Sequence, residues 1–376
     1  ARQKERVSQA HPAAAYKAGD ASLQALQPWP YPHLDWQAVA HARQQHPVSR
    51  ATLQKVLRDQ YGELRACSSC EANIDALGKE ATYTVTTGQQ PGLFGGPLYT
   101  LYKAIGAIKW ARKLEQELGS RVVPIFWVAS EDHDAAEVNH TWLGWAGPTR
   151  YDADFAGAVG PHVLRAAIQA VLPEVPSLRS AYTPGTTWGT AFRTWLNTLL
   201  GHHGLLILDA DDRRLKQAFA PIMQRELQEQ ASTPAIQAQT QALQALGYKA
   251  QLTPRPINLF YLTETGRWRL AQDEATGTYH TVEAPHSFKE EALLAELAAH
   301  PERFSPNAAL RPLYQEAVLP NLAYIGGDAE LAYWLQLPQA FKAYGVFHPV
   351  VLPRPRAVVW GPSQHTRWQQ AGLSED

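Results

Sequence analysis

The pattern of apolar and polar positions changes character near residue 80. Residues 1–80 read as helical, with an interruption at Gln27-Pro-Trp-Pro-Tyr-Pro32. From Thr82 onward, strand-like and helix-like stretches alternate. Thr82–Thr87 is β-branched and aromatic, as a strand requires. The glycine-rich turn Gly88-Gln-Gln-Pro-Gly-Leu-Phe-Gly-Gly96 follows. Leu98, Leu101, Ile105, Ile108 and Leu114 then recur mostly at helical spacing, so the pattern predicts a helix over 97–118, opened by Pro97 and closed by Gly119. Val122–Val128 is apolar almost throughout, the mark of a parallel strand buried on both faces. Gly204–Asp209 and Asn321–Ile325 repeat the strand pattern, and Val346–Leu352 is the last such run. Between them, 164–171, 235–246 and 290–299 read as helical, and Ile257–Leu262 with Arg267–Leu270 reads as a hairpin across Glu264-Thr-Gly266.

Alternating strands and helices define an α/β protein with a parallel-sheet core. The pattern divides the chain into a helical segment at 1–80 packing on the core and core pieces at 81–140, 201–225 and 305–376. Insertions at 141–200 and 226–304 separate those pieces. Open parallel sheets bind ligands at the carboxyl ends of their strands. The turn after the first strand and Glu131-Asp-His-Asp134 after the second are therefore expected at one edge.

Composition narrows the class. With 45% apolar and 18% charged residues the chain is globular, and its formal net charge of −1 lacks the basic excess of a nucleic-acid binder. No apolar run reaches membrane-spanning length and no secretory h-region is visible near the N-terminus, so the expected address is cytoplasmic. The two cysteines, Cys67 and Cys70, form a C-x-x-C that reads as late in a helical region, without a second pair to complete a Cys₄ zinc site.

The candidate chemistry lies at the strand ends. Asp132, His133 and Asp134 can hold an amine, orient a base or move a proton; the bland alternative is a solvated helix start. With His140 they also admit a divalent metal, although the spacing matches no named motif. Gly88, Gln89, Gln90 and Gly92 can place amides on a phosphate or carboxylate, yet they form neither GxGxxG nor GxxxxGK[ST]. Asp209 ends the third strand, where Asp211 or Asp212 can cap the next helix. Gly326, Gly327 and Glu330 repeat the strand–glycine–helix arrangement, with Asp328 as its expected N-cap. Arg311 and Arg354 are candidate carboxylate binders, with ordinary ion pairing as the alternative.

Five ordered blocks, VTTGQQPGLFGGPLYTLYK, VVPIFWVASEDHDAAEVNH, GLLILD, RFSPNAALRPLYQEAVLPNLAYIGGDAELAYWLQL and PVVLPRPRAVV, cover most of the chain's core and resemble the BshC family of bacillithiol biosynthesis. The resemblance implies a ligase that joins L-cysteine to the amine of glucosaminyl-malate. It also implies a core like the Rossmann domain of class I aminoacyl-tRNA synthetases, with connective-peptide insertions at 141–200 and 226–304. Where those synthetases carry an HxGH nucleotide motif, this chain has Gly88-Gln-Gln-Pro-Gly92 without histidines. The implied chemistry is ATP activation of the cysteine carboxylate, with Mg²⁺, followed by attack of the sugar amine. On that reading Gly88, Gln89, Gln90 and Gly92 cradle the activated group, and Asp132, His133 and Asp134 hold the amine. Asp209, Gly327 and Glu330 complete the floor, and Arg311 and Arg354 meet the malate carboxylates. Family members also form homodimers through a coiled coil beyond the Pro-Arg strand, where this sequence ends at Asp376. Gly326-Gly-Asp-Ala-Glu330 stands where the family pattern has Gly-Gly-Pro. The rival readings are a metal-dependent hydrolase or deacetylase of an amino sugar and a non-catalytic scaffold that binds the precursor.

Overall fold

The computed structural model describes residues 11–62, 64, 67–143, 147–152, 157–357 and 361–372. Its centre is a parallel five-stranded sheet. The strands are β1 (Tyr83–Gln89), β2 (Val122–Val128), β3 (Leu206–Asp209), β4 (Asn321–Gly326) and β5 (Val350–Pro353), in spatial order β5-β4-β1-β2-β3. β1 is central and pairs in register with β2 from Tyr83↔Val122 to Gln89↔Val128. Its pairing with β4 slips once, between Thr84 and Val85.

The continuous apolar run of β2 has a simple cause. Val123, Ile125 and Trp127 join one buried cluster with Leu206 and Leu208, whereas Phe126 and Val128 join another with Leu205 and Ile207. Successive side chains of a strand point to opposite faces, and both faces are covered here. The first cluster includes helices Pro12–Ala18, Arg50–Gly62 and α3 (Arg213–Glu229); the second is built largely from the 141–200 insertion and α2 (Trp188–Leu200). α1 (Tyr99–Leu118) lies along the sheet and buries Ala104, Ala107, Ile108, Ala111 and Leu114.

The insertion at 226–304 carries helices Ser232–Ala245 and Glu290–Ala299 and most of a second, antiparallel sheet. Strands Leu259–Thr263 and Gly266–Gln272 form the expected hairpin, extended by Tyr279–Thr281 and Ser287–Phe288 on one side and Phe304–Pro306 on the other. The stretch 164–171 is a short 3₁₀ helix, Ala166–Ala170. Among the described residues no helix is long and apolar enough to cross a membrane.

Three local expectations are corrected. α1 begins at Tyr99 and not at Pro97, because Leu93–Gly95 first makes a 3₁₀ turn with Phe94 and Gly95 at positive φ. A Cβ on Gly95 would lie 2.2 Å from Trp195, so this turn is packed and closed. Asp328 is not an N-cap; Gly327 holds that position at the start of α5 (Asp328–Trp334), and Asp328 pairs with Lys17 at 3.1 Å and with Arg356. The C-x-x-C pair does not sit late in a helix. Cys67 is the N-cap of helix Ser68–Ala76 and Cys70 lies in its first turn, buried against the Gly201 carbonyl at 3.3 Å.

Candidate active site

The carboxyl ends of β1, β2 and β4 open onto a cavity of about 700 Å³. Gly88, Gln89 and Gln90 reach it from β1, Asp132 and Glu137 from the segment after β2, and Arg311 from α4 (Arg311–Val318). Gly327, Glu330 and Tyr333 come from α5 and its cap, Tyr324 from β4 and Arg354 from the end of β5; Tyr99 and Lys103 complete the wall from α1. Six separate chain segments thus meet at the edge where a parallel sheet presents its ligand site.

One wall is acidic. The Gln90 side-chain amide donates to Asp132 Oδ2 and to Glu137 Oε2, both at 2.7 Å, and so spaces the two carboxylates. Asp132 Oδ1 also accepts from the His133 backbone N–H at 2.8 Å and meets the Arg267 guanidinium at 3.4 Å. Arg267 belongs to the second sheet, where it stacks over Phe260 and donates to Ser305 Oγ and the Pro306 carbonyl. The 226–304 insertion therefore fixes a carboxylate of the core.

Two arginines also line the cavity. Arg311 donates to Gln315 Oε1 at 3.1 Å and to Tyr333 Oη at 3.4 Å, and stacks over Tyr324. Arg354 lies 5.0 Å above the Tyr99 ring. Among the described residues neither guanidinium has a carboxylate within ion-pair distance. Both remain available to an anionic ligand, and arginine suits carboxylate recognition.

The same cavity is lined by a closed ion pair. Lys103 Nζ, 2% exposed, pairs with Glu330 Oε2 at 2.5 Å and donates to the Gly88 carbonyl at 2.8 Å and to Gln89 Oε1 at 3.0 Å. Glu330 also accepts from Tyr324 Oη at 2.5 Å and from the Gly327 backbone N–H at 2.8 Å. Burial pushes the Lys103 ammonium down and would push the Glu330 carboxyl up. Lys103 and these two donors outweigh burial at Glu330 and hold it below its ordinary value. The pair is thus a charged structural clasp between α1 and α5.

The remaining candidates are placed elsewhere. Gly92 is buried, its Cβ position 2.7 Å from Gly96 Cα. Gly326 is packed against Glu330 Cβ and does not line the cavity. Asp134 caps the short helix Ala135–Val138 by accepting from the Glu137 N–H at 3.1 Å, as the bland alternative had it. His133 is exposed, 3.5 Å from Asp132 and outside the cavity wall. Asp209 is held behind β2 by Ser130 Oγ and by the Asp211 N–H at 3.0 Å, and burial pushes its carboxyl up. Asp212 is the helix cap there.

Lys103, Glu137, Tyr99, Tyr324 and Tyr333 escaped the sequence reading. Lys103 had a signal: it shares the apolar stripe Thr100-x-x-Lys103-Ala104-x-x-Ala107-Ile108, where a charge needs a buried partner.

The side chains of the glycine turn are not free to cradle a triphosphate. The Gln90 amide is committed to two carboxylates and the Gln89 carbonyl oxygen to Lys103. The N–H groups of Thr100, Leu101 and Tyr102 already bond Pro97 and Leu98 carbonyls. Among the described residues no three His, Cys, Asp or Glu side chains converge as a metal-ligand group.

Fold and cavity together define a Rossmann-like protein with a charged cavity at the carboxyl edge of its sheet. A family model described as the N-terminal Rossmann-like domain of bacillithiol biosynthesis BshC matches residues 6–355. The chain belongs to the BshC family. It is 37% identical to a BshC protein of Cytophaga hutchinsonii over 317 residues, 83% of this chain and 60% of that one. It is 40% identical to that of Christiangramia forsetii over 342 residues, 86% of this chain and 63% of the relative. A Bacillus cereus relative is 33% identical over 313 residues, 78% and 58% of the two chains. Their names assign all three, provisionally, as cysteine ligases. The chain spans about 60% of the length of these curated relatives.

Proposed function

We propose that this chain is the substrate-binding and catalytic unit of a cysteine ligase that forms an amide between L-cysteine and the amine of glucosaminyl-malate. The observation that carries the reading is one cavity lined both by Asp132 and Glu137 and by Arg311 and Arg354, two arginines that among the described residues have no carboxylate within ion-pair distance. A ligand bearing an amine at one end and carboxylates at the other matches that lining. The malate carboxylates lie against Arg311 and Arg354, and the sugar amine lies against Asp132 and Glu137.

Amide formation needs a neutral amine, because the lone pair attacks the acyl carbon. Asp132 and Glu137, spaced by Gln90, take up the ammonium and are placed to accept the proton it releases as the C–N bond forms. Arg267, 3.4 Å from Asp132 Oδ1, holds that carboxylate in position. Lys103 and Glu330 keep α1 and α5 together beneath the ligand and take no direct part in proton transfer. An activated cysteine carboxylate supplies the leaving group. Assay with and without ATP decides whether ATP drives that activation.

The test is binding of glucosaminyl-malate to the purified chain by calorimetry. Saturable binding, weakened at least tenfold by Arg354→Gln and by Asp132→Asn, supports the match. Binding that both variants leave unchanged would refute it.

A further inference from the structure

A second cavity, of about 440 Å³, lies at the opposite, amino-terminal end of the sheet. Tyr83 at the start of β1 and Pro320 just before β4 form its floor, and Arg43, His46, Arg50 and Glu80 stand around it. Two guanidinium groups line this space, neither with a carboxylate within ion-pair distance among the described residues, although the Glu80 carboxylate, which lines it too, is near enough to influence Arg50. Arg43 is 3% exposed; it donates to the Glu316 carbonyl at 3.3 Å and the His46 carbonyl at 2.7 Å, and stacks over Phe347. Arg50 donates to the Leu77 carbonyl at 3.0 Å and the Glu80 carbonyl at 2.8 Å. All four contacts are to neutral backbone oxygens. Among the described residues no carboxylate lies within ion-pair distance of either arginine, that of Glu80 included. The buried Glu316 carboxyl is near enough to influence Arg43, but burial pushes it up to about 8, which leaves it largely protonated at neutral pH.

Buried cations in folded proteins are normally neutralised. Arg43 is buried and Arg50 partly buried, the two repel one another, and they outnumber Glu80, the one carboxylate residue lining the cavity with them, so an oxyanion would balance the excess. Each retains N–H donors beyond those spent on backbone carbonyls, and guanidinium groups match phosphate and carboxylate geometry.

We propose that this cavity binds a small oxyanion, a phosphate or carboxylate group, between Arg43 and Arg50. The site is separate from the candidate active site, which lies at the other end of the same strands.

The test uses phenylglyoxal, which modifies accessible arginine, on the purified chain, with modification read peptide by peptide in a mass spectrometer. Inorganic phosphate and succinate are the probes, with sodium chloride at equal ionic strength as the control. The expected result is at least fivefold slower modification at Arg50 with one of the two oxyanions, saturating at millimolar concentration. Which probe protects tells the phosphate source from the carboxylate source. Arg354→Gln, at the distant site, leaves this protection in place. Calorimetry gives a second measure: Arg50→Gln weakens oxyanion binding at this site at least tenfold, and Arg50→Lys weakens it less. Equal modification rates with both oxyanions and with chloride, or protection of Arg50 that disappears in Arg354→Gln, would overturn the proposal.

Discussion

Replacing Lys103 with methionine tests the clasp beneath the cavity. The ammonium is 2% exposed and all three of its hydrogens are used, on Glu330, Gly88 and Gln89. Lys103→Met keeps the length of the side chain but strands the Glu330 carboxylate and the Gly88 carbonyl. Removing one partner of a buried pair typically costs about 3–5 kcal/mol, since the other charge stays buried without compensation. Glu330 retains Tyr324 Oη and the Gly327 N–H, which places the expected loss near the lower figure, about 3 kcal/mol. In a chain of 376 residues that lowers Tm by about 4 °C. The double variant Lys103→Met with Glu330→Leu removes both charges and is expected to be more stable than Lys103→Met alone. Chemical denaturation of the wild type, both singles and the double closes the cycle. Single variants within about 0.5 kcal/mol of wild type, or losses that simply add in the double, would refute a coupled buried pair.

Two further predictions concern buried groups. Glu316, raised to about 8 chiefly by burial, binds a proton in the folded state that the unfolded chain has released above its ordinary value of 4.5. Its contribution therefore falls as pH rises from about 4.5 to 8 and is fullest below that window. Thermal melts should show Glu316→Gln gaining on wild type between pH 5 and pH 9, and a constant difference would contradict the assignment. Cys70 is buried and its thiol is pushed up to about 12, so iodoacetamide at pH 8 should alkylate the half-exposed Cys67 at least tenfold faster, as read by peptide mass.

Much of the fold was legible because it rests on periodicity. The run Val122–Val128 could only be a strand covered on both faces, and the hairpin at 259–272 announced its turn through Thr-Gly. What escaped depends on contacts distant in sequence. Ser287–Phe288 is too short to show a period and exists because Tyr279–Thr281 offers it a paired edge. The helix start after Pro97 was misplaced because Trp195, a hundred residues away, closes over Gly95 and folds the turn first. The same limit governs the site. Asp132 and Gln90 were visible at strand ends, but nothing local distinguishes Asp132, held by Arg267 from an insertion, from Asp134, which caps its own helix. Glu137 and the tyrosines reach the cavity only through tertiary placement.

The central claim is that one polar cavity positions an amine for acylation by cysteine. The most direct measurement is mass-spectrometric detection of product from L-cysteine and glucosaminyl-malate, with and without ATP and Mg²⁺, using this chain and a form extended to the length of its relatives. Condensation of the two substrates in at least one form, reduced about 10²-fold or more by Asp132→Asn, is the predicted result. Condensation that proceeds at the wild-type rate in Asp132→Asn, or none in the extended form under any condition despite saturable binding of glucosaminyl-malate, would contradict the account.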